Sequence, residues 1–448
     1  MTPAARLQAV IEMLETVAGT ARPADGTIGS YFRQRRYIGA KDRGALAETV
    51  YTVLRHQARL SWWCTHYQTE PTARARLIAW MRLGMNEQES AVRPLFTGGK
   101  FGPPLLTEVE DKFMARLKGH DKFIHPKMPE AVRFEMPEAL LPVLKARFGD
   151  RLEDELTALL QPAPLDLRVN PLMATREAVI AELQTAGIEA TPCHYAPLGL
   201  RLKHRIALPT LAAFKEGRIE VQDEGSQLVA LLVDAQPGMR VVDFCAGAGG
   251  KTLAIAAAMA NKGRVIALDV LDKRLLRAGE RFRRAGVHNI ETRALTSASD
   301  PWVKRHKGSF DRVLVDAPCG GSGTWRRNPD ARWRTLGPGL ANLLPLQQEI
   351  LSSAARLVKP GGRLIYATCS LLPEENDAQI AAFLAAHADF AVVPYGKVWG
   401  SVTTTPLPCT SDYLSLTPAQ HATDGFFTAV LERQAAAEEV IEPAATSP

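Results

Sequence analysis

Apolar residues recur at Leu7, Val10, Ile11, Leu14 and Val17, three or four apart, the spacing of one face of an α-helix. Comparable patterns continue to about residue 150, broken by "GGKFGPP" and "HPKMP", so a helical domain is expected over 1–150. A boundary follows at "QPAPLDLRVNP", where prolines flank a short strand pattern. Beyond it "TREAVIAELQTAGI" has helical spacing, "LGLRLKH" and "RIEVQD" read as strands, and "LPTLAAFKEG" reads as a short helix, which together predict a small α+β domain over 160–222. From residue 223 the alternation becomes regular. VVDF precedes a helix from Gly250, RVIALD precedes one from Leu271, FDRVLVD follows, RLIYATC precedes a helix from Glu374, and GFFTAVLER closes the series. That rhythm predicts a doubly wound, mostly parallel α/β sheet over 223–433. The last stretch, 434–448, is expected to be disordered.

The 448 residues exceed one ordinary core, in keeping with several domains, and 46% hydrophobic with 23% charged residues is a globular balance. The start, "MTPAARLQAVIEML", carries Glu12 and lacks an unbroken apolar segment, so it does not read as a signal peptide. No later run is long enough to span a membrane, and a cytoplasmic protein is expected. Six cysteines occur without a C-x-x-C pair, which argues against a zinc site and a disulfide framework, so no metal is expected. The net charge of +6 suits a nucleic-acid partner. It is concentrated between Tyr31 and Leu60, where Arg33, Arg35, Arg36, Lys41, Arg43, Arg55 and Arg59 face only Asp42 and Glu48; this is either a phosphate-tracking surface or a solvated helix face.

Three strand ends carry the chemistry. In "VVDFCAGAGGKT" a buried strand runs into Cys245, Ala246, Gly247, Ala248, Gly249, Gly250 and Lys251, a glycine-rich turn that opens a helix and lets backbone approach a ligand. A P-loop would need glycine where Cys245 stands, which argues against an ATPase. Asp269 ends the next strand 22 positions after Gly247, a spacing at which an acid accepts hydrogen bonds from a ribose diol, so an adenosine-type cofactor is expected. "VLVDAPCGGSGTWRRNPDARWR" places Asp316 and Cys319 at another strand end, then interleaves Trp325 and Trp333 with Arg326, Arg327, Arg332 and Arg334, a composition suited to base stacking and phosphate contact. In "RLIYATCSLLPEEN" the strand ends at Cys369, with Glu374 and Glu375 at the positive end of the following helix.

The motifs "CAGAGGKT", "DAPCGGSGTWRRNPD" and "YATCSLLPEEN", with "EVQDEGSQL" before and "DGFFTAVLER" after, resemble the Sun/Nol-type RNA cytosine 5-methyltransferases, in particular their bacterial RsmB-like branch. The resemblance covers roughly residues 160–433, and "RRYIGAKDRGALAETVYTVLR" is similar to that branch's helical amino-terminal domain. It implies a class I, Rossmann-like fold that uses S-adenosyl-L-methionine, with helical and small α+β domains that bind RNA. It further implies Cys369 as nucleophile, Cys319 assisting release, and residues 245–251, Asp269 and Asp316 lining the cofactor and base site. In one respect the chain departs from the family. Where an aspartate usually stands near the adenine, "IETRALTSASD" has Leu295 and Thr296, and Asp300 comes too late to replace it.

Carbon 5 of cytosine is a poor nucleophile, and thiolate addition at carbon 6 makes it an enamine able to take a methyl group. In this scheme Asp316 holds the base edge and favours a proton on ring nitrogen 3, Lys251 lowers the thiol's pKa or serves as a cation near the cofactor, and Cys319 assists when the carbon 5 proton leaves. The expected substrate is small-subunit ribosomal RNA, with transfer RNA as the alternative, and a monomer is expected. Two further readings remain open. DNA cytosine methylation would make Cys319 the nucleophile, and a non-catalytic RNA-binding assembly factor would need neither thiol.

Overall fold

The helix Pro3–Ala18 starts where the Thr2 hydroxyl accepts the Ala5 N–H and Pro3 fills the first turn, and it buries the five periodic positions Leu7, Val10, Ile11, Leu14 and Val17. The structure, a computed structural model, describes residues 1–117, 123–334 and 339–435. It divides into two units, residues 1–163 with 321–339, and residues 164–320 with 340–448. Among the described residues no helix is long and apolar enough to cross a membrane.

The first unit is helical. Pro3–Ala18, Ala24–Gln34, Ala40–Arg55 and Gln57–His66 surround a core that includes Met13, Leu46, Leu60 and Trp63. Five of the seven basic residues between Tyr31 and Leu60 make side-chain contacts inside this unit: Arg33 donates to the Ser30 hydroxyl, Arg35 pairs with Glu12, Arg43 donates to the Ile38 carbonyl, Arg55 to the Arg326 carbonyl, and Arg59 to the Arg133 carbonyl. Arg33, Arg36 and Lys41 remain exposed.

Within the expected 223–433 domain, the stretch from Gly321 groups with the first unit. Two of the four arginines expected to meet phosphates, Arg332 and Arg334, are used there differently. Arg332 is buried, donates to the carbonyls of Glu135 (2.8 Å) and Leu159 (3.4 Å), and lies 5.1 Å over the ring of Trp325, itself buried. Arg334 donates to the carbonyls of Val17 (2.8 Å) and Thr20 (2.5 Å) at the end of the first helix, where a cation complements the helix dipole. Asp330 accepts the Ala24 N–H at 3.0 Å and so caps a helix whose own N-cap, Pro23, has no side-chain acceptor. Buried carbonyls and amides demand partners, and these side chains supply them.

The second unit holds two sheets. In chain order its strands are β1 (Leu165–Val169), β2 (Ala190–Pro192), β3 (Gly199–Leu202), β4 (Ile219–Val221), β5 (Arg240–Asp243), β6 (Arg264–Asp269), β7 (Ile290–Ala294), β8 (Phe310–Asp316), β9 (Val358–Thr368), β10 (Phe390–Val393), β11 (Leu414–Leu416) and β12 (Phe426–Arg433). The small sheet is antiparallel in the order β2-β3-β1-β4, with the helix Arg176–Thr185 against it. Here Asp166, Cys193 and Glu224 cluster with a spacing that could ligate a metal, but Arg201 bonds both carboxylates, so the positive charge is supplied by a guanidinium.

The large sheet runs β10-β12-β9-β8-β5-β6-β7. β5 is parallel to β6 and β8, and β8 to β9, while β12 is antiparallel between β9 and β10. One apolar layer holds Val241, Leu253, Leu314 and Ile365, the other Val242, Val313, Leu364 and Tyr366, so successive residues of each strand face opposite layers. The chain leaves β5 toward β6 on one side and joins β8 on the other, and the carboxyl ends at that reversal form the crevice where open α/β sheets bind ligands. Part of the tail expected to be disordered, residues 436–448, lies outside the described residues.

Candidate active site

The glycine turn follows β5 and leads into the helix Gly250–Ala258. Gly249 has φ +76° and a Cβ there would stand 2.5 Å from the Phe282 ring, so the turn tolerates no side chain. Near where a side chain on Gly247 (φ +55°) would be, the nearest atom is the Cys245 carbonyl at 4.0 Å, and the helix has no side-chain cap, which leaves its first amides for a ligand. Ala246 is buried, the Ala248 carbonyl accepts from Arg281, and the Gly250 carbonyl accepts from Arg168 at 2.9 Å. Burial and the surrounding carboxylates push the Cys245 thiol well above its ordinary pKa, so it stays protonated.

Asp269 ends β6, and its carboxylate accepts the Gly247 N–H (2.9 Å) and the Leu271 N–H (2.7 Å), tying the glycine turn to the neighbouring strand. A carboxylate has about four lone-pair sites, so two remain for a diol. Val270 and Leu271, beside it, are exposed. Asp243, at the end of β5, is fully buried; its Oδ2 accepts the Thr252 hydroxyl at 2.7 Å, while Oδ1 has no partner. Burial, reinforced by Asp316, raises its pKa to about 7 against the pull of Thr252 and Lys251. Asp300 is occupied elsewhere: it accepts the Thr296 N–H (3.0 Å) and caps Pro301–Arg305 through the Trp302 N–H.

Across the reversal, Lys251 Nζ meets Asp316 Oδ2 at 2.7 Å and lies 5.5 Å over the Phe426 ring. Burial pulls the lysine pKa down, but Asp316 outweighs it and the net shift is upward, so Lys251 is a cation. Cys369 follows β9 directly, Cys319 sits three residues past β8, and their sulfurs are 3.5 Å apart. The parallel pairing of Asp316 with Ala367 sets the two loops side by side. The Ala317 N–H, donating to the Ala367 carbonyl at 2.9 Å, continues that ladder one step past the last paired residues, so both cysteines emerge from one edge of the sheet.

The sequence-based reading missed the group that holds these loops. Glu375, read from the sequence as a charge at a helix start, is inaccessible to solvent in the turn Pro373–Glu375. It accepts the Gly320 N–H at 2.7 Å, the Gln347 amide at 3.0 Å and the Ser370 hydroxyl. Nothing in the local pattern distinguishes it from Glu374, because an acid beside a helix start is commonplace.

Residues 230–432 match the sequence family described as 16S rRNA methyltransferase RsmB/F, and residues 136–208 match an RsmF/B-like ferredoxin-like domain. The chain is 33% identical over 418 residues to a probable ribosomal RNA small subunit methyltransferase B of Synechocystis sp., covering 89% of this chain and 93% of that one. Among solved structures, PH0851 is similar with a TM-score of 0.79 and 29% identity over 97% of this chain and 99% of that one. A methyltransferase homolog from Pyrococcus horikoshii gives a TM-score of 0.58 and 26% identity over 70% of this chain and all of the other. The large sheet is accordingly the class I fold of S-adenosylmethionine-dependent methyltransferases, and the chain belongs to the RsmB/F methyltransferase family.

Proposed function

We propose that the protein transfers a methyl group from S-adenosyl-L-methionine to carbon 5 of a cytosine in small-subunit ribosomal RNA, through a covalent bond between Cys369 and carbon 6 of the base. The observation that carries this reading is the pair of thiols 3.5 Å apart at neighbouring strand ends, in the same crevice as the Lys251–Asp316 ion pair. The residues suit the cofactor. Gly247 leaves room for close approach, the first amides of Gly250–Ala258 and the spare lone pairs of Asp269 offer polar contacts, and Asp243 Oδ1 is a buried acceptor without a partner. When bound, S-adenosylmethionine supplies an electrophilic methyl on a sulfonium.

In the proposed mechanism the Cys369 thiolate adds its electron pair to carbon 6, and the displaced ring electrons make carbon 5 nucleophilic. Asp316, held in orientation by Lys251, accepts from the base edge and favours the protonated ring nitrogen 3 that offsets this charge. After carbon 5 is methylated it still carries its original hydrogen. Cys319 assists removal of that proton, the electrons of the broken C–H bond restore the ring double bond, and the Cys369–carbon 6 bond breaks to return the thiolate. RNA contact is assigned to the exposed cations Arg33, Arg36 and Lys41 of the helical unit and to the small antiparallel domain.

The test is a denaturing gel of substrate RNA with each variant. Cys369→Ala should give neither adduct nor product, and Cys319→Ala should accumulate an adduct stable to denaturation when cofactor is present. An adduct from Cys369→Ala and none from Cys319→Ala would assign the nucleophile to Cys319 and overturn the mechanism. Bisulfite sequencing of ribosomal and transfer RNA from a deletion strain identifies the substrate, and unchanged 5-methylcytosine in ribosomal RNA would refute it.

A further inference from the structure

We propose that Glu375 is a positioning residue that sets the spacing of the two thiols. It is fully buried, yet every donor near its carboxylate belongs to a residue flanking or bracing one of the cysteines. On the Cys319 side, Oε1 accepts the Gly320 N–H (2.7 Å) and the Gln347 amide (3.0 Å), and the same Gln347 nitrogen donates to the Pro318 carbonyl (2.9 Å). On the Cys369 side, Oε2 accepts the Ser370 hydroxyl, whose oxygen in turn accepts the Leu372 N–H (3.1 Å). The adjacent Asn376 completes the frame, accepting from Thr368 Oγ1 (2.5 Å) and donating to the Ser370 carbonyl (2.9 Å). Residues 318 and 320 bracket Cys319, and residues 368 and 370 bracket Cys369, so Glu375 and Asn376, with Gln347 from the helix Leu340–Ala355, hold both loops on both sides.

A carboxylate is suited to this place because it only accepts. Two N–H donors converge on Oε1 and the Ser370 hydroxyl on Oε2; an amide with its oxygen at Oε1 would turn an N–H₂ toward Ser370, whose hydroxyl would then lose its acceptor. The approach is close: a Cβ on Gly320 would stand 3.2 Å from Glu375 Oε2, so glycine lets the Cys319 loop reach the carboxylate. Burying a charge without partners is costly, whereas three short donor contacts hold it and lock the loops at the same time. Displacing a reacting group by about 1 Å can slow a reaction roughly 100-fold.

The consequence for catalysis rests on the two-thiol mechanism above, so the test includes a readout that does not. In glutathione redox buffer the two thiols reduce one glutathione disulfide to two glutathione thiols and form one intramolecular disulfide, and the equilibrium constant reports how well the sulfurs are placed. Glu375→Gln should lower that constant at least about ten-fold, and single-turnover methylation at saturating substrates about 100-fold, with S-adenosylmethionine affinity by calorimetry unchanged. Changes under about two-fold in both, or a loss of methylation with the disulfide constant unchanged, would overturn the proposal. A lowered disulfide constant with methylation intact would uphold the positioning role and refute the two-thiol mechanism instead. Should Glu375→Gln fail to fold, Ser370→Ala and Gln347→Leu each remove one arm. Each should shift the disulfide constant in the same direction, and no shift in either would overturn the proposal.

Discussion

Asp243 makes a measurable prediction because its buried carboxyl is held near pKa 7 rather than its ordinary 3.8. The folded state therefore binds a proton more tightly than the unfolded chain. The stabilisation is complete below about pH 4 and is lost as pH rises through about 7. Integrating between those values, the group costs the fold about 1.5 kcal/mol at pH 5 and about 4 kcal/mol at pH 8, relative to a neutral side chain. Asp243→Asn removes the titration and keeps the acceptor for Thr252, but places an N–H₂ where Oδ1 has no partner, a penalty of about 1–3 kcal/mol that does not vary with pH. The stability difference, variant minus wild type, should thus move about 2.5 kcal/mol in the variant's favour from pH 5 to pH 8. Taking the difference cancels other titrating groups, such as His56, which burial lowers to about 3, and Glu135, which burial raises to about 7. The assay is urea unfolding at both pH values, followed by hydrogen exchange in peptides from β5, so that the second unit's transition is read separately. Parallel profiles, with the difference constant to within about 0.5 kcal/mol, would refute the assignment of a raised carboxyl pKa at this site.

Asp269→Ala should weaken S-adenosylmethionine binding by about 1.5–3 kcal/mol, since it removes an acceptor and frees the Gly247 N–H; unchanged affinity by calorimetry in a folded variant would exclude the cofactor role. Asp330→Ala should destabilise the helical unit by about 3 kcal/mol, because it uncaps the helix Ala24–Gln34 and leaves Arg334 without its carboxylate, measured by urea unfolding against an expectation of near zero for a solvent-exposed acid. The joint variant Arg33→Ala, Arg36→Ala, Lys41→Ala should lower RNA affinity and reduce the slope of log affinity against log salt by up to about 3, whereas an unchanged slope would return that surface to a solvated face. This variant is cleaner than deletion of the helical unit, which would strip residues 321–334 of their partners.

The sequence by itself determined what depends on neighbours close along the chain. Helical spacing in residues 3–18 named the buried face correctly, because a 3.6-residue repeat and a burial stripe are the same fact. Strand–helix alternation was enough for the doubly wound, mostly parallel sheet, and the glycines after β5 for a tight turn that opens a helix, since steric limits on φ act within a residue. Asp269, Asp316 and Cys369 were placed at strand ends by the same local logic.

Only the tertiary structure decided which buried polar groups find one another. "TWRRNPDARWR" has the composition of a nucleic-acid loop, yet Arg332, Arg334 and Asp330 serve backbone groups some 200 to 300 residues away in sequence, at Glu135, Val17 and Ala24. Much of the basic charge between Tyr31 and Leu60 is consumed in the same way. Glu375 and Glu374 are indistinguishable in the sequence, and folding buries the first beneath both cysteine loops. A burial stripe is written in a period of a few residues, but a buried donor's choice of acceptor is settled by which distant segments the packed core brings within about 3 Å, and no local pattern carries that distance.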